Sequence, residues 1–171
     1  GNLYVSDEWL NKISIFDKDG EYLRSWGKAG SGDGEMDRPA GMSISADGTL
    51  FISDSRNSRV QKFTLDGKYI GQFGSFGSGP GQFNMPWGIS VGPDGNVYVA
   101  DWRNDRIQIF TSDGEWQASV GQTGSGVGQF NRPNSVCADD DGDIYVADWL
   151  NNRIQVLSPE GRFVAEMRGD A

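Results

Sequence analysis

The sequence predicts an all-β fold built from repeated four-stranded antiparallel sheets. The first indication is an internal repeat with a spacing of 47 residues, which returns an Asp to the same place in every copy, at Asp7, Asp54, Asp101 and Asp148. The second is the alternation of apolar and polar residues with a period of two, which is typical of half-buried strands. The third is that no segment carries a helical period long enough for a helix. These observations favour short strands joined by tight turns.

One complete copy shows the strands in order. We label them a to d: Ile89–Val91, Asn96–Asp101, Arg106–Phe110 and Glu115–Val120. Strands a and b are joined by the turn at residues 92–95, and strands c and d by the turn at Asp113-Gly114. A polar turn at residues 102–105 joins b to c. Each copy is therefore expected to form one antiparallel sheet of four strands.

Four-stranded antiparallel units that recur every 40 to 50 residues are typical of the blades of a β-propeller. A β-solenoid is the alternative, but its coils are usually shorter and lack two hairpin turns in each repeat. We predict four blade segments at residues 1–27, 38–74, 85–121 and 132–168, joined by Gly-rich linkers. The first segment starts at strand b, so the prediction is 15 strands, or about 3.75 blades, in a single segment over residues 1–171.

The residues of the third copy carry a family resemblance. Phe83–Val91, Asn96–Asp101 and Arg106–Phe110 follow one pattern, which recurs around Asp54 and Asp148. This pattern resembles the NHL repeat over nearly the whole chain. It departs from the family at the position of the family's His, where this chain has other residues: Asn11, Ser58, Asp105 and Asn152. The resemblance implies a β-propeller, commonly six-bladed.

The number of blades leaves three arrangements open. The chain is expected to be part of a longer six-bladed protein, an arc completed by oligomerisation or by a partner, or a four-bladed ring lacking one inner strand. An open arc would leave large apolar faces at both ends, and a soluble monomer rarely exposes so much apolar surface.

The composition excludes several classes of function. The chain has a net charge of −9, one Cys and no His. His is the usual general acid or base at neutral pH and a common metal ligand, so its absence disfavours most hydrolases and transition-metal sites. No apolar run approaches the length of a membrane span. We therefore predict no membrane insertion, no cofactor, no metal and no enzymatic activity, and we expect Cys137 to be a small buried apolar residue.

The turns divide the charges and aromatic residues between two faces. The a-to-b and c-to-d turns form an acidic face, which carries thirteen Asp or Glu against three Lys or Arg and so accounts for the net charge. The d-to-a linkers and b-to-c turns form the opposite face, which we name the Trp/Arg face. Its candidate binding residues are Trp9, Arg38, Arg56, Trp87, Trp102, Arg103, Arg132 and Trp149. Trp and Arg are enriched at binding hot spots. These residues differ between copies, although the propeller scaffold does not require them to differ.

Other conspicuous residues favour structural roles. Asp54 and Arg59 recur in later copies, which suits turn-capping and ion pairing better than a unique catalytic site. Trp26 aligns with apolar residues of strand d and is predicted to lie in the core. The segment Asp139–Asp143 is expected to be an acidic hairpin turn, with calcium binding left open because no Glu stands at the twelfth position of an EF-hand loop.

The predicted function is a non-enzymatic scaffold or accessory subunit that binds a protein partner through the Trp/Arg face, as the resemblance to NHL propellers generally implies. One alternative is single-stranded RNA binding, which the acidic net charge opposes. Another is an enzyme similar to propeller lyases or lactonases, with its site in blades outside this chain. The resemblance slightly favours an extracytoplasmic location, and the compartment stays open.

Overall fold

A computed structural model describes residues 1–169, and it confirms the all-β prediction. The strands of the first two sheets are β1 (Leu3–Asp7), β2 (Lys12–Phe16) and β3 (Tyr22–Trp26), then β4 (Pro39–Ile44), β5 (Leu50–Asp54), β6 (Arg59–Phe63) and β7 (Tyr69–Phe73). The first sheet has three strands and the second has four, each antiparallel and in chain order.

Two further four-stranded antiparallel sheets follow a short parallel pair in the linker, β8 (Ser75–Phe76) and β9 (Gln82–Phe83). They comprise β10 (Pro86–Val91), β11 (Val97–Asp101), β12 (Arg106–Phe110) and β13 (Trp116–Val120), then β14 (Pro133–Ala138), β15 (Ile144–Asp148), β16 (Arg153–Leu157) and β17 (Phe163–Arg168). A single 3-10 turn joins b to c in each of these sheets, at Trp102–Asn104 and Trp149–Asn151.

Consecutive sheets pack face to face through three apolar clusters. A linker residue seals each interface, and these residues, Met36, Phe83 and Phe130, have no exposed surface. The innermost strands approach each other closely: a Cβ atom on Gly41 of β4 would lie 2.5 Å from the carbonyl oxygen of Trp87 in β10. Only Gly fits there, so the sheets meet tightly at their inner strands.

A buried polar network fastens each linker to its sheet. In the third sheet Oδ2 of Asp101 accepts hydrogen bonds from Asn104 at 2.8 Å and from Nε of Arg106 at 2.9 Å, while Oδ1 accepts the backbone N–H of Asn84 at 2.8 Å. Arg106 also donates to the carbonyl oxygen of Gln82 in the linker. The network recurs at Asp54 and Asp148 in the second and fourth sheets, which confirms the predicted structural role of these residues.

The first sheet lacks this network because its sequence differs. Leu10, Lys12 and Ser14 stand where the other copies have Asn, Arg and Gln. Asp7 instead accepts the backbone N–H groups of Trp9 and Leu10, both at 2.9 Å. The carboxylate caps a local turn here without joining it to a linker.

Cys137 is exposed, so the prediction that it is buried is wrong. Val136 points into the cluster between the third and fourth sheets, and neighbouring residues of a strand point to opposite faces. The equivalent side chains Ser43 and Ser90 each accept a backbone N–H from the following sheet. Within residues 1–169 no sheet follows the fourth, which leaves the Cys137 side chain uncovered.

Trp26 packs as predicted against the apolar cluster between the first and second sheets. Its ring centroid lies 4.9 Å from that of Phe63, and a Cβ atom on Gly67 would lie 2.5 Å from the indole. Among the described residues no helix has the length and apolar character needed to cross a membrane.

Candidate binding face

The strand order places the b-to-c turns and the linkers on one side of the molecule. The b-to-c turns carry Trp9, Arg56, Trp102, Arg103 and Trp149. Hydrogen bonds tie the turns to the linkers, since Asn104 donates to the carbonyl oxygen of Gly77 at 2.9 Å and Asn151 to that of Gly124 at 2.9 Å. The Trp/Arg face is therefore a continuous surface held by the buried networks.

Three indole rings converge near the inner edge of this face. Trp87 follows Pro86 at the start of the innermost strand β10, and Trp102 and Trp149 each begin a 3-10 turn. The ring centroids of Trp87 and Trp102 are 5.4 Å apart with the planes tilted by 56°. Those of Trp102 and Trp149 are 6.3 Å apart with the planes only 27° from parallel. Together with Asn134 the three rings line a pocket of about 310 Å³, which we name the Trp pocket.

Two guanidinium groups lie over the Trp102 ring. The Cζ atom of Arg132 is 5.2 Å from the ring centroid and that of Arg103 is 5.5 Å from it, within the range of a cation–π interaction. Nη1 of Arg132 donates to the carbonyl oxygen of Arg103 at 2.9 Å. Arg103 is exposed, and its side chain makes no hydrogen bond to residues 1–169.

Asp105 holds Arg132 in place. Its Oδ1 accepts the backbone N–H of Arg132 at 2.8 Å and lies 3.8 Å from Nη1 of the same residue. Oδ2 accepts a hydrogen bond from Thr123 at 2.7 Å. Both Asp105 and Arg132 have a positive φ, of 54° and 56°, so two left-handed residues bring the sheets together at this point. Asp105 is only 6% exposed, and its carboxylate is engaged by these groups.

The structure therefore gathers five of the eight predicted residues, Trp87, Trp102, Arg103, Arg132 and Trp149, around one indole. Trp9 and Arg38 form a separate pair, with Cζ of Arg38 at 4.8 Å from the Trp9 ring centroid. Arg56 is exposed and contacts no aromatic ring of the described residues.

Sequence reasoning missed several residues of this face. Asn134 lines the Trp pocket. The only feature of the sequence that points to Asn134 is that its position varies between copies, with Ala40 and Trp87 at the equivalent places. Four more exposed apolar side chains lie in the linkers and b-to-c turns: Leu10, Phe76, Val127 and Leu150. An apolar residue inside a Gly-rich linker was the signal for Phe76 and Val127.

Burial raises the pKa of two carboxylates behind the face, Asp101 and Asp54. It raises the pKa of Asp101 above the usual range, although Asn104, Arg106 and the backbone of Asn84 donate hydrogen bonds that oppose the shift. Among residues 1–169 no group of His, Cys, Asp and Glu is arranged to hold a metal ion. The Trp pocket itself offers ring stacking, an amide and nearby guanidinium groups.

Comparison with protein families supports the predicted resemblance to the NHL repeat. The model of the NHL repeat matches residues 36–63, 83–110 and 130–157. The chain carries three NHL repeats. Its matched segments each run from the linker residue that seals a sheet interface to the end of strand c. No curated protein matches this NHL chain by sequence.

Solved propeller structures share the fold at low sequence identity. Virginiamycin B lyase from Staphylococcus aureus is 19% identical with a TM-score of 0.72, over 100% of this chain and 53% of the lyase. A gluconolactonase from Xanthomonas campestris is 17% identical with a TM-score of 0.73, over 95% of this chain and 57% of that one. The WD40 repeats of RRP9 are 13% identical with a TM-score of 0.74, over 98% and 48%. The NHL chain thus spans about half the length of these structures.

These structures correct the prediction that the chain is not an enzyme. Both the lyase and the gluconolactonase use the fold that this chain shares over nearly its whole length. At these identities the likeness shows the fold alone, but it is a fold in which enzymes work. An enzymatic activity is therefore compatible with this fold.

Proposed function

We propose that this NHL propeller is a protein-binding module and that the Trp/Arg face is its docking surface. The observation that carries the proposal is the exposure of large apolar side chains there. Six of the sixteen exposed large apolar side chains of residues 1–169, including the four most exposed, lie in the linkers and b-to-c turns and are 49–74% exposed: Trp9, Leu10, Phe76, Val127, Trp149 and Leu150. Exposed apolar residues gathered on one face and interspersed with polar ones are typical of interaction sites.

The charges of the face define the chemistry of the partner. Arg56 and Arg103 form no ion pair with residues 1–169 and present guanidinium groups that bind carboxylates in a bidentate manner. The partner is a protein segment that carries Asp or Glu beside apolar side chains. The acidic face on the opposite side repels such a segment, which fixes the orientation of binding.

A protein partner is favoured over single-stranded RNA by the overall charge. With a net charge of −9, the chain releases few counterions on binding a polyphosphate and repels it at long range. Aromatic rings near Arg suit base stacking, but the local positive charge is small: within the Trp pocket region Arg132 lies 3.8 Å from the carboxylate of Asp105.

A second candidate is an enzyme, favoured by the fold shared with a lyase and a gluconolactonase. In that case the Trp/Arg face contributes substrate binding, and the reacting groups belong to other parts of the protein. Hydrolysis of gluconolactone by the native protein, measured above the spontaneous rate and lost in Trp149→Ala, would support this candidate.

The docking proposal is tested with purified components. The protein that co-purifies with the native chain from its source is identified by mass spectrometry, purified and titrated against three forms of the chain. We expect the Trp149→Ala/Arg103→Ala double variant to bind at least about tenfold more weakly than the wild type, as hot-spot residues do. The Asp113→Asn/Asp141→Asn variant of the acidic face is the matched control and should bind as the wild type does. Equal binding by the first variant, or a loss confined to the control, would refute the proposal.

A further inference from the structure

We infer that the Trp pocket is a binding site for a free planar aromatic carboxylate. The inference goes beyond the proposed docking function and does not depend on it, because the pocket occupies only the inner edge of the face. Four properties of the site lead to it: the arrangement of its rings, its volume, its nearby charges and its restriction to two copies of the repeat.

The ring arrangement presents aromatic surfaces to a planar guest. Aromatic pairs prefer offset-stacked or edge-to-face contacts with ring centroids about 4.5–7 Å apart, so the three indoles pack on one another as a single aromatic wall. The centroids of Trp102 and Trp149 are 6.3 Å apart with the planes 27° from parallel. Trp149 is 53% exposed, so its ring is free to stack on a guest. Trp87, tilted by 56° to Trp102, provides a third ring that meets a guest edge-to-face.

The volume limits the size of the guest. Sites for small molecules usually have volumes of about 300–1,000 Å³, and the Trp pocket, at about 310 Å³, lies at the lower end. One or two fused rings fill such a space. A larger ligand would project onto the exposed surface beyond Trp149.

The charges around the pocket select an anion. Both Arg103 and Arg132 hold a guanidinium group over Trp102, and the side chain of Arg103 has no acceptor among residues 1–169. The neighbouring carboxylates do not oppose an anion, because each is already paired. Asp105 accepts hydrogen bonds from the backbone of Arg132 and from Thr123, and Asp148 is fully buried against Arg153. Asn134 adds an amide at the pocket wall.

The repeat itself does not require this pocket. In the register of the repeat, Glu8 and Ser55 stand where the third and fourth copies have Trp102 and Trp149. Ala40 stands where the third copy has Trp87. The second copy folds into the same four-stranded sheet without these indoles, so packing alone does not account for the cluster.

The test uses 2-naphthoate as the probe and calorimetric titration of the purified chain. We expect 2-naphthoate to bind at least about tenfold more tightly than neutral 2-naphthamide, and cyclohexanecarboxylate to bind weakly because it is not planar. The Trp149→Ala and Arg103→Ala variants should each weaken binding by about tenfold, whereas Trp149→Phe retains most of it. Trp116→Ala is the matched control, since it removes an exposed indole of β13 that lies outside the Trp/Arg face and should leave binding unchanged.

Three results would overturn the inference. The first is no binding of 2-naphthoate by a chain whose thermal melting is intact. The second is equal binding by wild type and Trp149→Ala. The third is binding of a blocked Asp-Trp-Glu peptide without binding of the free acid, which would make the pocket an anchor for a partner's side chain. The docking proposal is judged separately, because the purified partner can lose affinity in the face variants whether or not 2-naphthoate binds.

Discussion

Nε of Arg153 donates a hydrogen bond to Oδ2 of Asp148 at 2.8 Å, and the exposed fractions of the two side chains are 2% and 0%. The same guanidinium reaches the carbonyl oxygens of Gly126 and Gln129 in the preceding linker. One buried ion pair thus holds a strand, a turn and a linker of the Trp/Arg face together. Asp54 with Arg59 and Asp101 with Arg106 do the same in the two sheets before it.

Removing this carboxylate should be costly. We expect Asp148→Ala to lower the free energy of unfolding by about 3 kcal/mol, because it removes the buried partner of Nε of Arg153 and leaves Glu166, 3.0 Å from Nη1 and partly exposed, as the remaining carboxylate. Asp7→Ala is the control, since Asp7 accepts only two exposed backbone N–H groups, and its expected cost is about 1 kcal/mol. Urea unfolding measures both. Equal costs for the two variants would show that the pair does not fasten the linker.

The buried linker residue at each sheet interface gives a second prediction. Phe83 is completely buried, and its partner in the short parallel pair, Phe76, is 72% exposed. We expect Phe83→Ala to cost about 3–5 kcal/mol of stability and Phe76→Ala to change it by less than about 0.5 kcal/mol. Thermal and urea unfolding distinguish the two. A small effect of Phe83→Ala would mean that the interface closes without the linker.

Two Gly residues in hairpin turns allow the stability cost of backbone strain to be measured apart from the cost of a steric clash. Gly48 and Gly114 both have a positive φ, of 84° and 95°, which disfavours Ala by about 1–2 kcal/mol. A Cβ atom on Gly48 meets nothing within 4 Å, whereas one on Gly114 would lie 2.7 Å from the ring of Phe73 in the preceding sheet. We expect Gly114→Ala to cost about 1–3 kcal/mol more than Gly48→Ala. Matching costs would contradict the close contact between these sheets.

Alkaline pH should weaken the fold through Tyr98. Burial, together with the charge of Asp94 at 3.2 Å from the hydroxyl, raises the pKa of Tyr98 to about 12. The unfolded chain loses this proton near pH 10 while the folded chain keeps it, so the free energy of unfolding falls as pH rises from about 10 to about 12. Tyr98→Phe should lose less stability than the wild type between pH 9 and about 11.5 by urea unfolding. An identical loss in the two proteins would place the titration elsewhere.

The sequence was sufficient for the features that recur between copies. Strands and turns recur in all four copies, and the pairing of Asp101 with Arg106 recurs in the second, third and fourth, where the same groups are buried. The Trp/Arg face followed from strand order alone. The convergence of Trp87, Trp102 and Trp149 did not, because it depends on how neighbouring sheets are set against each other at their inner strands.

The remaining errors have physical causes of the same kind. Cys137 lies in an apolar run, but its exposure depends on whether a following sheet covers that side of β14, which local sequence does not encode. The contact of Arg132 with Trp102 joins two copies through Asp105, so no spacing within one repeat indicates it. The exclusion of catalysis failed because composition describes residue types and not the range of activities that a fold supports.

Hydrogen exchange on the complex of the native chain with its purified partner decides where docking occurs. We predict slower exchange in the linkers at residues 74–84 and 121–132 and in the b-to-c turns that carry Trp102 and Trp149. The a-to-b and c-to-d turns of the acidic face should exchange as they do in the free chain. Protection confined to those acidic turns, with the Trp/Arg face unchanged, would contradict the assignment of this face as the docking surface.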